Sequence, residues 1–325
     1  MNIRVIVEDS ETNKRLDISE LVQELTWTTH LQGVAGQVSF TMTPSDFNFS
    51  AGSKVWVSIP NQADIFAGRI FTTSITKTKS LNLTCYDQTR YLKNRDTYIF
   101  KNMTAIQIFE KICKDYELKY QINAESKYIC GPRTRDGVSL MDMIQLALDE
   151  TFIKTGDYLF VRDDFGTLKL ENLINFRRNY LLDDDILTLD FSYQRSIDED
   201  SYNRVKLVGK EIDKQTGNEK TIISFQQDPD LVTKWGTLLY RENISKATNQ
   251  AELDNRATQM LKLKGRTTKK LSFTTDGKID VFAGCGLYVN LKEITGEGVN
   301  KWCEILSAKH TFKNQEHTMS LEVLL

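Results

Sequence analysis

The sequence is poor in the residues that most directly mark an enzyme or a membrane protein. It has 3 histidines, 5 cysteines and 4 prolines in 325 residues. His30, His310 and His317 fit neither an HExxH helix nor an HxH pair with acids nearby, so a metal site is not expected. Cys85, Cys113, Cys130, Cys285 and Cys303 form no CxxC pair and fall at apolar strand or helix positions, where a thiol acts as a small hydrophobe. Cys113 followed by His310 has the order of a papain-like pair but lacks its local signature, so a buried cysteine is the better reading. Synthesis in a reducing bacterial cytoplasm is expected.

Long apolar runs are missing too, so no segment meets the roughly 18 residues that a membrane-crossing helix needs, and no membrane insertion is expected. The start, MNIRVIVEDSETNK, goes straight into an alternating strand rather than a secretory signal pattern, so export would need another route. Charge is nearly balanced, with 42 basic and 44 acidic residues and a formal net charge of -2. No basic run could track phosphates along a duplex, which argues against specific nucleic-acid binding.

Phosphate-cradling loops are absent as well. Gly33-Val34-Ala35-Gly36 and Gly284-Cys285-Gly286 are not GxGxxG, and no GxxxxGK[ST] occurs. Asp164-Phe165-Gly166 matches the magnesium corner of kinases, yet no HRD loop precedes it, so a hairpin turn explains it better. No catalytic residue and no cofactor is expected. Acids do cluster, at Asp183, Asp184, Asp185 and at Asp198, Glu199, Asp200. A glycosidase would need two of them about 5–9.5 Å apart across a sugar site. Acidic turns between strands are the default reading; in an assembly, the same runs facing a lumen would repel negative surfaces.

What the chain has in quantity is alternation. In 1–87, strands are expected at 3–7, 25–29, 37–43, 54–59, 65–76 and 81–86, with Val38, Phe40 and Met42 on one face and Ser39, Thr41 and Thr43 on the other. Residues 81–120 change the architecture, because Leu81, Leu83 and Cys85 alternate as a strand while the apolar spacing from Thr104 becomes helical. Thr104 with Gln107 makes a capping box, Met103 can staple onto Ile108, and Ile108, Phe109, Ile112, Cys113 and Tyr116 form a buried stripe. A second helix starts at Ser139 and runs over 140–151; strands follow each helix at 118–122 and 158–162, with a hairpin return into Leu168 and Leu170.

Later strands are expected around Leu187 to Phe191, Val205 to Val208 and Ile222 to Phe225, with Gly217-Asn218 as a hairpin tip. Helices follow at about 230–240 and from Asn249 to a stop at Gly265; short strands near Leu271, Gly286, Trp302 and Thr318 close the chain. The fold class is therefore mixed α+β and β-rich, with two small antiparallel β-barrel-like domains and α+β segments between and around them. We expect a first β domain at 1–90, an α+β middle at 91–180, and a second β domain at 181–325 with a helical insertion at about 228–265.

Local wording adds to this order of elements. Leu83-Thr84-Cys85-Tyr86-Asp87 with Tyr91-Leu92, TAIQIFEKI at 104–112, VSLMDMIQLAL at 138–148, GDYLFVR at 156–162 and AELDNRATQMLKLKG at 251–265 resemble the XkdQ/YqbQ-type hub proteins of prophages and phage-tail-like particles, within the late-control protein D and tail-hub superfamily. That resemblance implies a structural baseplate hub with no active site. It implies a homotrimer whose paired β modules give a pseudo-sixfold ring between a sixfold tail tube protein and a threefold central spike protein, alongside other baseplate proteins. Exposed strand edges would then be covered by the neighbouring subunit. Two other functions compete: a peptidoglycan hydrolase, and a carbohydrate- or peptide-binding module using Trp27, Trp56, Trp235 or Trp302. Packing is the commoner fate of such rings in strands.

Overall fold

The computed structural model describes residues 3–43, 49–77, 79–184, 191–198, 200–212, 218–247, 249–294 and 297–325. The N-terminal unit holds β1 (Arg4–Glu8), β2 (Arg15–Asp17), β3 (Val22–His30), β4 (Gln37–Met42), β5 (Lys54–Ile59), β6 (Ala63–Ile75) and β7 (Leu81–Tyr86). Its alternation becomes burial: Val38, Phe40 and Met42, Val55, Val57 and Ile59, and Leu81, Leu83 and Cys85 form one core with Val5, Val7 and Leu25. Each such side chain contributes about 1.5–3 kcal/mol when fully buried, so one face of the sheet is strongly specified. Only β2, three residues long and exposed at both ends, carried no alternation that could be read.

The middle unit comprises β8 (Arg95–Phe100), α1 (Ala105–Asp115), β9 (Tyr120–Ile122), β10 (Arg133–Ser139), α2 (Leu140–Thr155), β11 (Leu159–Asp163) and β12 (Leu168–Asn172). The capping box of α1 is made in full: Gln107 N donates to Thr104 Oγ1 at 3.2 Å, and Thr104 N donates to Gln107 Oε1 at 2.9 Å. Ile108, Phe109, Ile112 and Cys113 are fully buried. Thr104→Ala is expected to lower stability by about 1 kcal/mol in urea titrations, and an unchanged midpoint would show that the cap is not needed. Helix α2 runs four residues past the expected Thr151, ending where Gly156 takes φ +81. The strands β8 and β10 pair with each other and carry no clean alternation in the sequence, because charged and small residues and the exposed Ile99 break it.

The C-terminal unit is built from β13 (Arg177–Asp183), β14 (Phe191–Ser196) and, after a small lobe, β18 (Thr268–Asp276), β19 (Gly286–Ile294), β20 (Glu297–Lys313) and β21 (Glu316–Leu324). The lobe carries β15 (Arg204–Ile212), β16 (Glu219–Gln227), α3 (Pro229–Trp235), β17 (Leu239–Ala247) and α4 (Gln250–Lys264). Helix α3 stops at Gly236, φ +75, so Tyr240 lies in β17 rather than in the helix expected to reach it. The expected Leu187 and Leu189 strand positions and Gly217 fall outside the described residues.

Sheet order shows how these units join. Among the described residues one sheet runs β14-β18-β21-β20-β3-β4-β7-β6-β5-β1-β2, with β19 and β13 branching from β20. The junction is β3 antiparallel to β20, with Trp27 opposite His310. This sheet, the β8–β10 pair, the β11-β12-β9 sheet and the β16-β15-β17 sheet are all open. The two β units keep separate cores on either side of that junction. The lobe has its own small core of Val205, Leu207, Ile222, Leu253 and Ala257 under α4.

Candidate functional site

The residues that could carry chemistry are placed apart. Cys113 lies in the middle unit's core, whereas His310 lies at the β3–β20 junction, so they form no pair. All five cysteines are free and buried; burial pushes the Cys113 thiol up to about 12 and the Cys303 thiol up to about 11, the opposite of what activates a nucleophile. Asp164-Phe165-Gly166 is the β11–β12 turn, with Phe165 and Gly166 at positive φ. Asp164 is held by Arg162 at 3.1 Å and Lys169 at 2.5 Å. Among the described residues no group of three or more His, Cys, Asp or Glu could hold a metal, and no helix is long and apolar enough to cross a membrane.

The acidic runs divide between two elements. Asp183 ends β13, and the Oδ2 of Asp184 accepts from Lys292 N of the neighbouring β19 region at 3.2 Å. Asp198 is exposed, with its amide donating to Ser196 Oγ at 3.0 Å, and Asp200 takes φ +55 and pairs with Lys264. Asp185 and Glu199 lie outside the described residues.

What the tertiary structure does bring together is the meeting point of the three larger units. Trp27 stacks on His310 with centroids 4.9 Å apart, and Phe312 stacks on His317 at 4.3 Å. His310 Nε2 lies 2.8 Å from the Val281 carbonyl, which can only accept, so Nε2 carries the proton. Its Nδ1 must then accept, and His317 Nε2 donates to it at 2.9 Å. Burial holds His310 down at about 4, so this network is neutral at physiological pH.

Beside the stack, a cavity of about 120 Å³ is lined by Gly36, Asp87, Thr89, Asp163 and His30. Asp87 Oδ1 accepts from Thr89 N at 2.9 Å, and Thr89 Oγ1 accepts from Gly36 N at 3.0 Å. Asp163 Oδ1 accepts from Gly166 N at 2.7 Å, while its Oδ2 is buried with no partner among the described residues. Burial, then the charge of Asp163, drives Asp87 well above the usual carboxyl range; burial likewise pushes Asp163 up to about 6. Gln88 clamps the same seam, donating to the Gly166 carbonyl and accepting from Lys119 N at 3.2 Å. Arg162 sits over Phe176 and Phe282, 5.3 and 5.0 Å from their centroids, tying the middle unit to the C-terminal one. Asp87 follows the strand expected at 81–86, and Asp163 lies between the strand expected at 158–162 and the Asp164-Phe165-Gly166 turn; nothing in their local wording signals that they share a cavity.

These residues form the seam at which the larger units meet. A family model described as YQBQ-like matches residues 25–324. The chain is 28% identical over 285 residues to YqbQ of Bacillus subtilis strain 168, covering 87% of this chain and 84% of that one. It is 27% identical over 264 residues to the phage-like element PBSX protein XkdQ of the same organism, covering 80% of this chain and 78% of that one. Its fold is similar to that of the 43 kDa tail protein of prophage MuSo2 from Shewanella oneidensis, with a TM-score of 0.69 at 13% identity over 98% of both chains.

Proposed function

Because the chain belongs to the YqbQ-like family, we propose that it is the hub subunit of a contractile tail baseplate, three copies of which form a ring between a sixfold tail tube and a threefold spike. The observation that carries this reading is the β3–β20 pairing, which sets two β units with separate cores side by side in one sheet path. A ring of three such chains presents six β units, and closed symmetry then meets a sixfold partner without a second gene product. The sheet path is open and ends in β14 and β2, with β13 at the end of the branch. Open ladders of this kind invite pairing with another chain, which a ring of copies supplies.

Light scattering on the purified chain, alone and with its spike partner, tests the reading. A mass three times that of the single chain is expected, with threefold symmetry in electron-microscope images. A chain that remains a monomer or dimer under both conditions overturns it. The same preparation is expected to leave peptidoglycan intact in a zymogram; a cleared band would favour the hydrolase instead.

A further inference from the structure

The small lobe has one covered face and one bare one. Helix α4 packs over Val205, Leu207 and Ile222. On the other side of the same sheet, Ile223, Phe225 and Leu239 are 50%, 48% and 45% exposed. They are surrounded by Arg204, Lys206, Lys210 and Arg241, and among the described residues only Lys210 of these is neutralised within the face, by Glu219 at 2.6 Å. Lys206 stands opposite Arg241 in the β15–β17 register, and neither has an ion pair among the described residues. Like charges placed side by side on neighbouring strands are destabilising. Arg204 Nε, in addition, is buried with no hydrogen-bond partner. A face that keeps such unmet charges around exposed apolar side chains is shaped for an acidic, partly apolar partner.

The chain itself carries a surface of that description. Along the side of α2 that faces the cleft between it and α4, Leu146, Phe152 and Ile153 are 38%, 42% and 54% exposed. Asp142 and Asp149 lie on the same side, with Asp157 just past the helix end, and none has an ion pair among the described residues. The C-terminal half of α2 opens onto a cleft of about 2180 Å³ whose far wall includes Arg256 and Leu263 of α4. One copy cannot make the contact with itself, because the bare face lies on the side of the small sheet away from α4, whereas α2 lies across the cleft on the α4 side.

We propose that the bare, cationic face of the β16-β15-β17 sheet docks onto the acidic, cleft-lining side of α2 in a neighbouring copy of this chain. The contact is head to tail, and repeating it closes a ring of three when each copy is turned by a third of a circle from the last; it rests on the ring reading above and specifies one of its interfaces. Apolar side chains at its centre supply burial, and the two charge sets choose the partner and orientation. The exposed apolar positions favour a protein surface over a nucleic acid, which would need the cations alone.

Charge reversal tests it in the full chain. Lys206→Glu with Arg241→Glu is expected to raise the protein concentration needed for assembly about tenfold or more, as is Asp142→Lys with Asp149→Lys. Combining all four in one chain is expected to restore assembly, which a general folding defect would not do. A second variant, Phe225→Cys with Leu146→Cys, is expected to give disulfide-linked pairs and triplets under mild oxidation, since the native cysteines are all buried. Assembly that survives either reversal, or assembled protein in which the new cysteines never link, overturns the interface while leaving the ring intact. A parent chain that does not assemble overturns the ring itself. Salt-sensitive binding of a 20-base-pair duplex, lost in Lys206→Glu/Arg241→Glu while assembly is unchanged, assigns the face to nucleic acid and overturns the proposal.

Discussion

Gly284→Ala is expected to destabilise the chain by about 2–4 kcal/mol, measured as a drop in the urea midpoint without loss of slope. Two effects act at this position. Gly284 has φ +95, a backbone region that an alanine enters only with strain. An added Cβ would also meet the Phe160 ring at 2.5 Å. Phe160 is buried in the joint formed with Leu31, Leu173 and Ala283, and its ring stands edge-on to Phe176 at 5.6 Å. It has nowhere to retreat. Gly284 N also donates to Ile305 O at 2.9 Å, so the backbone cannot shift without breaking a strand contact. Phe160→Leu in the same chain should recover only part of the loss, because it relieves the clash and leaves the backbone strain. A single variant as stable as the parent would show that the joint between the middle and C-terminal units is loosely packed.

Asp163→Asn is expected to raise stability at pH 7.5 by about 1–3 kcal/mol. Asp163 has its pKa raised from 3.8 to about 6 in the folded chain, chiefly by burial. The folded state therefore holds a proton that the unfolded state has released between those two values. Stability contributed by this group is fully present below about 4 and falls as the pH rises through about 6. An asparagine keeps the acceptor for Gly166 N and replaces the unpartnered Oδ2 by an amide that can donate toward Asp87. The gain over the parent should vanish near pH 4. His310 works in the opposite direction: its pKa is lowered to about 4, so its contribution is lost as the pH falls below the ordinary histidine range. Comparing variant with parent at each pH cancels that term. A gain that is the same at every pH would mean that folding leaves the Asp163 pKa unshifted.

Both predictions sit on the seam between units, and the seam is where sequence and structure part company. Within each unit, local patterns marked many of the elements. Lys54–Ile59 and Leu81–Tyr86 are strands with the bounds that their alternation marks, and the caps at Thr104, Ser139 and Asn249 are all made. These signals act over two to four residues, through side-chain direction and backbone capping, so they are visible in the order of residues. Missed elements were those with weak signals of this kind, namely the short exposed β2, the charged β8 and β10, and the polar-rich β13 and β17.

The sequence by itself determined the strand and helix repertoire, the β-rich class, the inert cysteines and the resemblance to tail hubs. Only the tertiary structure decided that β3 pairs with β20, that Asp87 and Asp163 share one cavity, and that the small lobe leaves a charged face bare. The reason is physical: burial periodicity reports that a face is covered but not by what, and pairings between residues far apart in the chain depend on loop closure and on the fit of whole units.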